Sequence, residues 1–219
     1  MTIAPSQEAS GRFDYLVRED MFKGFEGDIE AFDRAMALCE KRLAVDPDDA
    51  EALVWHGAGL LVRAGAAFQA GGREQGIQMT LQATREMSRA VALKPDSVAV
   101  LIPRATALLG AATHITDRSR KGDYARQAAD DFEKVLALQQ PFLGSLAPHP
   151  KGELFGGLAE SWSQAGAADK AQSYLMRIVN QLPDTKYASA ARMRLENPGA
   201  SQPITCLGCH INPEPRARP

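Results

Sequence analysis

One interval recurs along this chain. Ala35 stands twelve residues before Pro47, Ala83 twelve before Pro95, and Ala171 twelve before Pro183. Four residues after each alanine comes a larger apolar side chain, Cys39, Met87 or Leu175. Residues four apart share one face of a helix, and proline cannot continue a helix. Each stretch therefore predicts a helix with a small-then-large apolar face that stops at the same distance from it. A fourth copy is Ala128-x3-Phe132, with one extra residue before Pro141. The closing prolines lie 48, 46 and 42 residues apart. A constant interval says that one unit has been built several times, and this limits the fold more than any single residue does.

The clearest unit is 152–183. Phe155, Leu158, Ala159 and Trp162 form one helical stripe, Gly166 with Ala167 and Ala168 makes a turn, and Ala171, Tyr174, Leu175, Ile178 and Val179 form the facing stripe. This pattern resembles the tetratricopeptide repeat (TPR) family. In the second unit, from Ala50, the residues Leu53, His56, Gly57 and Leu60 stand at the family's first-helix positions. In the third, from Val98, they are Leu101, Ala105 and Leu108, with Pro103 inside the helix, where a mild kink is expected. The first unit matches in its second helix, 29–45, and departs in its first, 12–25. The family period is about 34 residues. The excess is expected in longer helices and in loops such as ITDRSRKGD, before a helix opening at Gly122-Asp123-Tyr124, and PFLGSLAPHPK.

The resemblance implies an all-α fold: a TPR-like right-handed α-solenoid of about four helix-pair units plus a capping helix near 186–195, followed by an extended tail. The organisation read from it is a flexible N-terminus over 1–11, a helical repeat domain over 12–196, and a Pro-rich tail over 197–219.

Composition narrows the function classes. Hydrophobic residues make up 45% and charged residues 24%, with a net charge of -2, which leaves no basic footprint for nucleic acid. No apolar run approaches the roughly 18 residues of a membrane span. The N-terminus lacks a basic start followed by an apolar core, so no secretory signal is read and the cytoplasm is the expected location. An extracytoplasmic or periplasmic location is the alternative if haem is attached and Met1 is not the native start. No Ser/His/Asp or Cys/His arrangement emerges, and the chain is not expected to be an enzyme. Gly57-x-Gly59, Gly71-Gly72 and Gly156-Gly157 lack the preceding strand and the Gly-Lys-Ser/Thr of a phosphate loop. The acidic pairs Glu19-Asp20 and Asp130-Asp131 read as solvated faces, Cys39 as a buried thiol, His56 as a packed histidine, and His114 as a helix-end cap.

Two sites follow. In TPR arrays the first helices line a concave groove. That geometry projects Val54, Trp55, Ala58, Leu61 and Val62 of the second unit towards the groove, with Ile102, Thr106 and Leu109 of the third. Such an apolar face implies a protein or peptide partner, or self-association. Cover by the N-terminal helix or the tail is the alternative. The second site is Cys206-Leu207-Gly208-Cys209-His210, which resembles the haem-attachment motif of c-type cytochromes. It implies covalent haem c on Cys206 and Cys209, with His210 as an iron ligand. A second axial ligand would come from His149, His114 or a Met. A zinc site completed by His149 or another chain, a dithiol pair, and no cofactor at all remain open. The expected function is an interaction or assembly scaffold. The alternative is an electron-transfer, redox or metal-binding protein acting through the tail.

Overall fold

A computed structural model describes residues 12–197 and Ile204. The fold is all-α, with no strand among the described residues. The helices are α1 (Asp14–Phe25), α2 (Ile29–Val45), α3 (Ala50–Gln69), α4 (Arg73–Leu93), α5 (Val98–His114), α6 (Arg118–Gln139), α7 (Pro148–Gln164), α8 (Ala168–Gln181) and α9 (Lys186–Glu196). A 3-10 turn, Gln140–Ser145, separates α6 from α7. The chain divides into two compact units, Met1–Pro103 and Arg104–Pro219. In the first, α1 packs on α2, α2 on α3 and α3 on α4, and α1 also reaches α3. In the second, α6 packs on α7, α7 on α8 and α8 on α9.

The turns within the pairs are alike. After α1, α3 and α7 a glycine takes positive φ: Gly27 at 104°, Gly71 at 81° and Gly166 at 80°. The amide after each glycine bonds back to a carbonyl five residues earlier, Asp28 to Lys23 (3.0 Å), Gly72 to Ala67 (2.8 Å) and Ala167 to Trp162 (2.9 Å). This is the Schellman closure, which satisfies carbonyls the helix end leaves over and requires a left-handed residue that glycine supplies without strain. The α5–α6 pair lacks the glycine. There the Asp117 carboxylate caps α6 by accepting from the Arg120 N–H at 2.8 Å. That cap starts α6 at Arg118, so part of the expected loop is helix and the opening at Gly122 is too late.

The recurring prolines act through the residue before them. Asp46, Lys94 and Leu182 have φ of -132°, -134° and -133°, all outside the helical region. Proline's ring crowds the preceding backbone and disfavours helical geometry there. Gln140, before Pro141, stays helical at φ -50°, ψ -41°. The thirteen-residue copy thus differs in its ending as well as its spacing. Its chain tightens into the 3-10 turn, with Pro141 near the start where an amide is not needed. The second expected loop, 141–151, is accordingly part 3-10 turn and part α7. Pro103 sits within α5, which runs unbroken through it.

The repeated faces form the core. Ala35, Ala83, Ala128 and Ala171, with Cys39, Met87, Phe132 and Leu175, are all buried. Glycines on the first helices let neighbours approach. A Cβ on Gly57 would stand 3.0 Å from the Ala83 carbonyl oxygen and 2.8 Å from Met87 Cγ. One on Gly59 would strike Met36 Sδ of α2 and lie 3.4 Å from Met21 Cε of α1. One on Gly157 would stand 2.7 Å from the Phe132 ring.

Two helical Gly→Ala changes should therefore have opposite signs. Gly122, in α6, has no atom within 4 Å of an added Cβ, so Gly122→Ala should stabilise by about 0.5–1 kcal/mol. Gly57→Ala forces α3 from the α4 backbone and should destabilise by about 1–3 kcal/mol. Urea denaturation midpoints of the two variants check both signs.

Candidate functional site

The projected groove centres on α3, whose residues are mostly small or apolar and mostly buried. Val54, Trp55 and Ala58 are buried, Leu61 is half-buried, and Val62 is 44% exposed. The Trp55 ring meets Phe22 of α1 edge-on, with centroids 6.2 Å apart and planes at 80°. The start of α1 is tied to the same helix, since the Asp14 N–H donates to the Glu51 carboxylate at 3.1 Å. Trp55 is thus packed within the first unit, and its buried Nε1–H has no hydrogen-bond partner. Ile102, also in the first unit, is 40% exposed. Thr106 and Leu109 belong to the second unit, the former half-buried and the latter buried.

His56 is buried, and its Nδ1 lies 2.6 Å from Glu86 Oε2 of α4. Its Nε2 is 3.8 Å from Glu40 of α2. The ring therefore ties three helices together. Cys39 is fully buried, and burial, with Glu40 and Glu86 nearby, pushes its thiol up to about 12. A thiol so resistant to ionisation is a poor nucleophile.

In the second unit, Glu133 of α6 accepts from Trp162 Nε1 of α7 at 2.9 Å and from the Tyr174 hydroxyl of α8 at 2.7 Å. Burial, then the Glu133 bond, pushes the Tyr174 phenol up. The reading of Asp130-Asp131 as a solvated face needs correction at one position. Asp131 is buried, and the Arg104 guanidinium grips it through two bonds of 2.6 and 2.5 Å. Spacing alone gave no sign of this, because the partner lies on another helix, 27 residues away.

A third arrangement joins α7 and α9. His149 and Glu153, four apart at the start of α7, share one helix face. Tyr187, the second residue of α9, is buried, and its hydroxyl lies 2.6 Å from His149 Nδ1 and 2.5 Å from Glu153 Oε1. Gly152 makes room for it, since a Cβ there would fall on the Tyr187 ring. The His149 side stays exposed. Sequence reading singled out His149 but not its partners. The available signal was His-x3-Glu at a helix start with an adjoining glycine.

Cys206, Cys209 and His210 lie outside the described residues. Among the described residues no group of three or more His, Cys, Asp or Glu could hold a metal ion. No described helix is long and apolar enough to cross a membrane. Comparison of the chain with protein-family models, characterised proteins and solved structures finds no match.

The Arg104–Asp131 pair carries a prediction with a pH signature. Arg104→Met leaves a buried carboxylate without its counter-charge and should destabilise by about 3–5 kcal/mol at neutral pH. Burial already pushes the Asp131 carboxyl up, with Arg104 opposing. Removing Arg104 raises it further. A carboxyl whose folded value exceeds its unfolded one binds its proton more tightly when folded, so stability is gained as pH falls. The gap between variant and wild type should narrow from pH 7 towards pH 4. Parallel denaturation curves across that range check it.

Proposed function

We propose that this chain is a non-enzymatic scaffold of TPR-like helix pairs, stacked as a right-handed solenoid, that holds a protein or peptide partner on its first-helix faces. The observation that carries the reading is the recurrence of one ending in three units. In each, a buried alanine and its larger neighbour are followed, at the same distance, by a non-helical residue and a proline. Repetition at this level is how solenoids are built, each unit covering the apolar face of the next. The Schellman closures after α1, α3 and α7 support the same reading. The accessible apolar positions of the proposed face are Val62 and Ile102.

A photo-crosslinking residue at Val62 should yield a discrete adduct, to a partner or to a second copy, that the same group at Glu19 does not. Val62→Glu should reduce reconstituted binding at least tenfold with unchanged helix content. Equal labelling at both positions, with a monomer at every concentration in sedimentation, would remove the groove proposal.

A second reading rests on the tail motif Cys206-Leu207-Gly208-Cys209-His210. The Cys206 and Cys209 thiols would each add across a haem vinyl group. A sulfur–carbon bond forms and the thiol hydrogen moves to the other vinyl carbon, so no oxidant is needed. His210 would ligate the iron, and the bound group would supply one-electron transfer. Produced where haem attachment takes place, the full chain should stain for haem after denaturing electrophoresis. It should also gain one haem in intact mass, and Cys206→Ala with Cys209→Ala should lose both signals. Zinc bound in the wild type and lost in those variants would replace the haem reading with a metal tail.

A further inference from the structure

Cations without counter-charges gather at one place in the second unit, the opening turns of α6. Residues 118–126 set Arg118, Arg120, Lys121 and Arg126 against the single carboxylate of Asp123, a net charge of +3 in a chain whose total is -2. Arg118, Arg120 and Arg126 are exposed, and Lys121 is half-buried. None of the four side chains meets a carboxylate among the described residues. The Asp117 carboxylate, next in the chain, caps the helix by accepting from the Arg120 backbone N–H at 2.8 Å.

Spacing puts two of these cations on a particular face. Arg118, Lys121, Ala125, Ala128 and Phe132 follow one another at steps of three and four, so they share one stripe of the helix. From Ala125 onward the stripe is core: Ala125, Ala128 and Phe132 are buried, and Phe132 fills the space left by Gly157 of α7. In its opening turns the same stripe is cationic. Gly122 lies beside it, and a Cβ there would meet no atom within 4 Å, so nothing among the described residues covers the helix at that turn. The core stripe thus runs out into an open, positively charged end. The helix gains nothing from this pattern. Its first turn holds no acid, and cations there oppose the positive end of the helix dipole. Solvation alone is served as well by mixed signs.

We propose that Arg118, Arg120, Lys121 and Arg126 form a docking surface for an acidic segment of a partner protein. The surface is independent of the first-helix face proposed above. Charge complementarity carries the choice of partner, because carboxylates from outside would supply the counter-charge that this chain does not. No large apolar side chain is exposed on α6 to insert among lipid chains. The patch also carries no exposed aromatic ring on which a nucleic-acid base could stack.

The test uses the full chain and a fluorescein-labelled peptide of alternating Glu and Gly, read by anisotropy, with a Lys-Gly peptide as control. The Glu-Gly peptide should bind, more weakly as salt rises, and the Lys-Gly peptide should not. Gly122→Glu places a carboxylate four residues from both Arg118 and Arg126, in open space. It should weaken peptide binding about tenfold or more while raising the urea midpoint, because it improves helix propensity and adds the missing acid. A purely structural role for the patch would move both readings in the same direction. Gly122→Gln should raise the midpoint and keep binding within about twofold of the wild type, since it adds no charge. The double variant Arg118→Glu, Lys121→Glu, which touches no buried residue, should also lose binding with unchanged helix content. Lys41→Glu on α2 changes net charge without touching the patch and should bind as the wild type does. Unchanged binding in both Gly122→Glu and the double variant, or an equal loss in Lys41→Glu, overturns the proposal. So does a wild type that ignores the acidic peptide, including one that instead sediments with phosphatidylserine vesicles and is released by Gly122→Glu, which would assign the patch to a membrane surface.

Discussion

The close approach of paired helices at positions without side-chain bulk is the constraint on which the rest depends. At Gly57 the α3 backbone comes so near the Ala83 carbonyl that even a methyl group would intrude. Axis separation between packed helices follows the side chains at the contact. Small residues there let the helices close on each other, and the flanking Leu53, Leu60 and Met87 are buried. Gly59 does the same against Met36 and Met21, so one turn of α3 serves α4 on one side and α1 and α2 on another. The first half of α3, Ala50 to Leu60, is buried throughout, and these close approaches are part of the reason. In the second unit Gly157 accommodates Phe132 and Gly152 accommodates Tyr187.

Close packing leaves little room for water, and several of the polar groups between helices satisfy one another, although the Trp55 Nε1–H finds no partner. Glu51 takes a backbone amide of α1, Glu86 holds His56, Glu133 gathers Trp162 and Tyr174, and Asp131 holds Arg104. In each case the carboxylate and its donor come from different helices. An unsatisfied buried group costs about 1–3 kcal/mol, so these pairings penalise a slipped helix more than they reward the correct one. The Glu153–Tyr187–His149 relay belongs to the same set, with one difference: it ends on an exposed ring.

What was legible in the sequence is local. The apolar spacing and the proline interval located α2, α4, α5, α8 and α9 closely, because hydrophobic periodicity and proline sterics act within a few residues of chain. Where the start of a helix was misplaced, at α6, the deciding group was also local: Asp117, whose capping role competes with a nearby Gly-Asp pair that looks equally suitable. The 3-10 turn after α6 was missed because one extra residue before Pro141 changes how the chain exits the helix, and spacing alone does not say which exit is taken.

The sequence by itself determined an all-helical chain, the twelve-residue interval, the small residues that paired helices need, and a Cys-x2-Cys-His motif with its own chemistry. Only the tertiary structure decided that Trp55 packs on Phe22, that Asp131 is buried under Arg104, and that His149 is oriented by Tyr187 and Glu153. The physical reason is range. Helix propensity, capping and proline sterics are settled between neighbours in the chain, whereas burial and ion pairing depend on residues 27 to 38 positions apart. Nothing in either segment alone records that meeting.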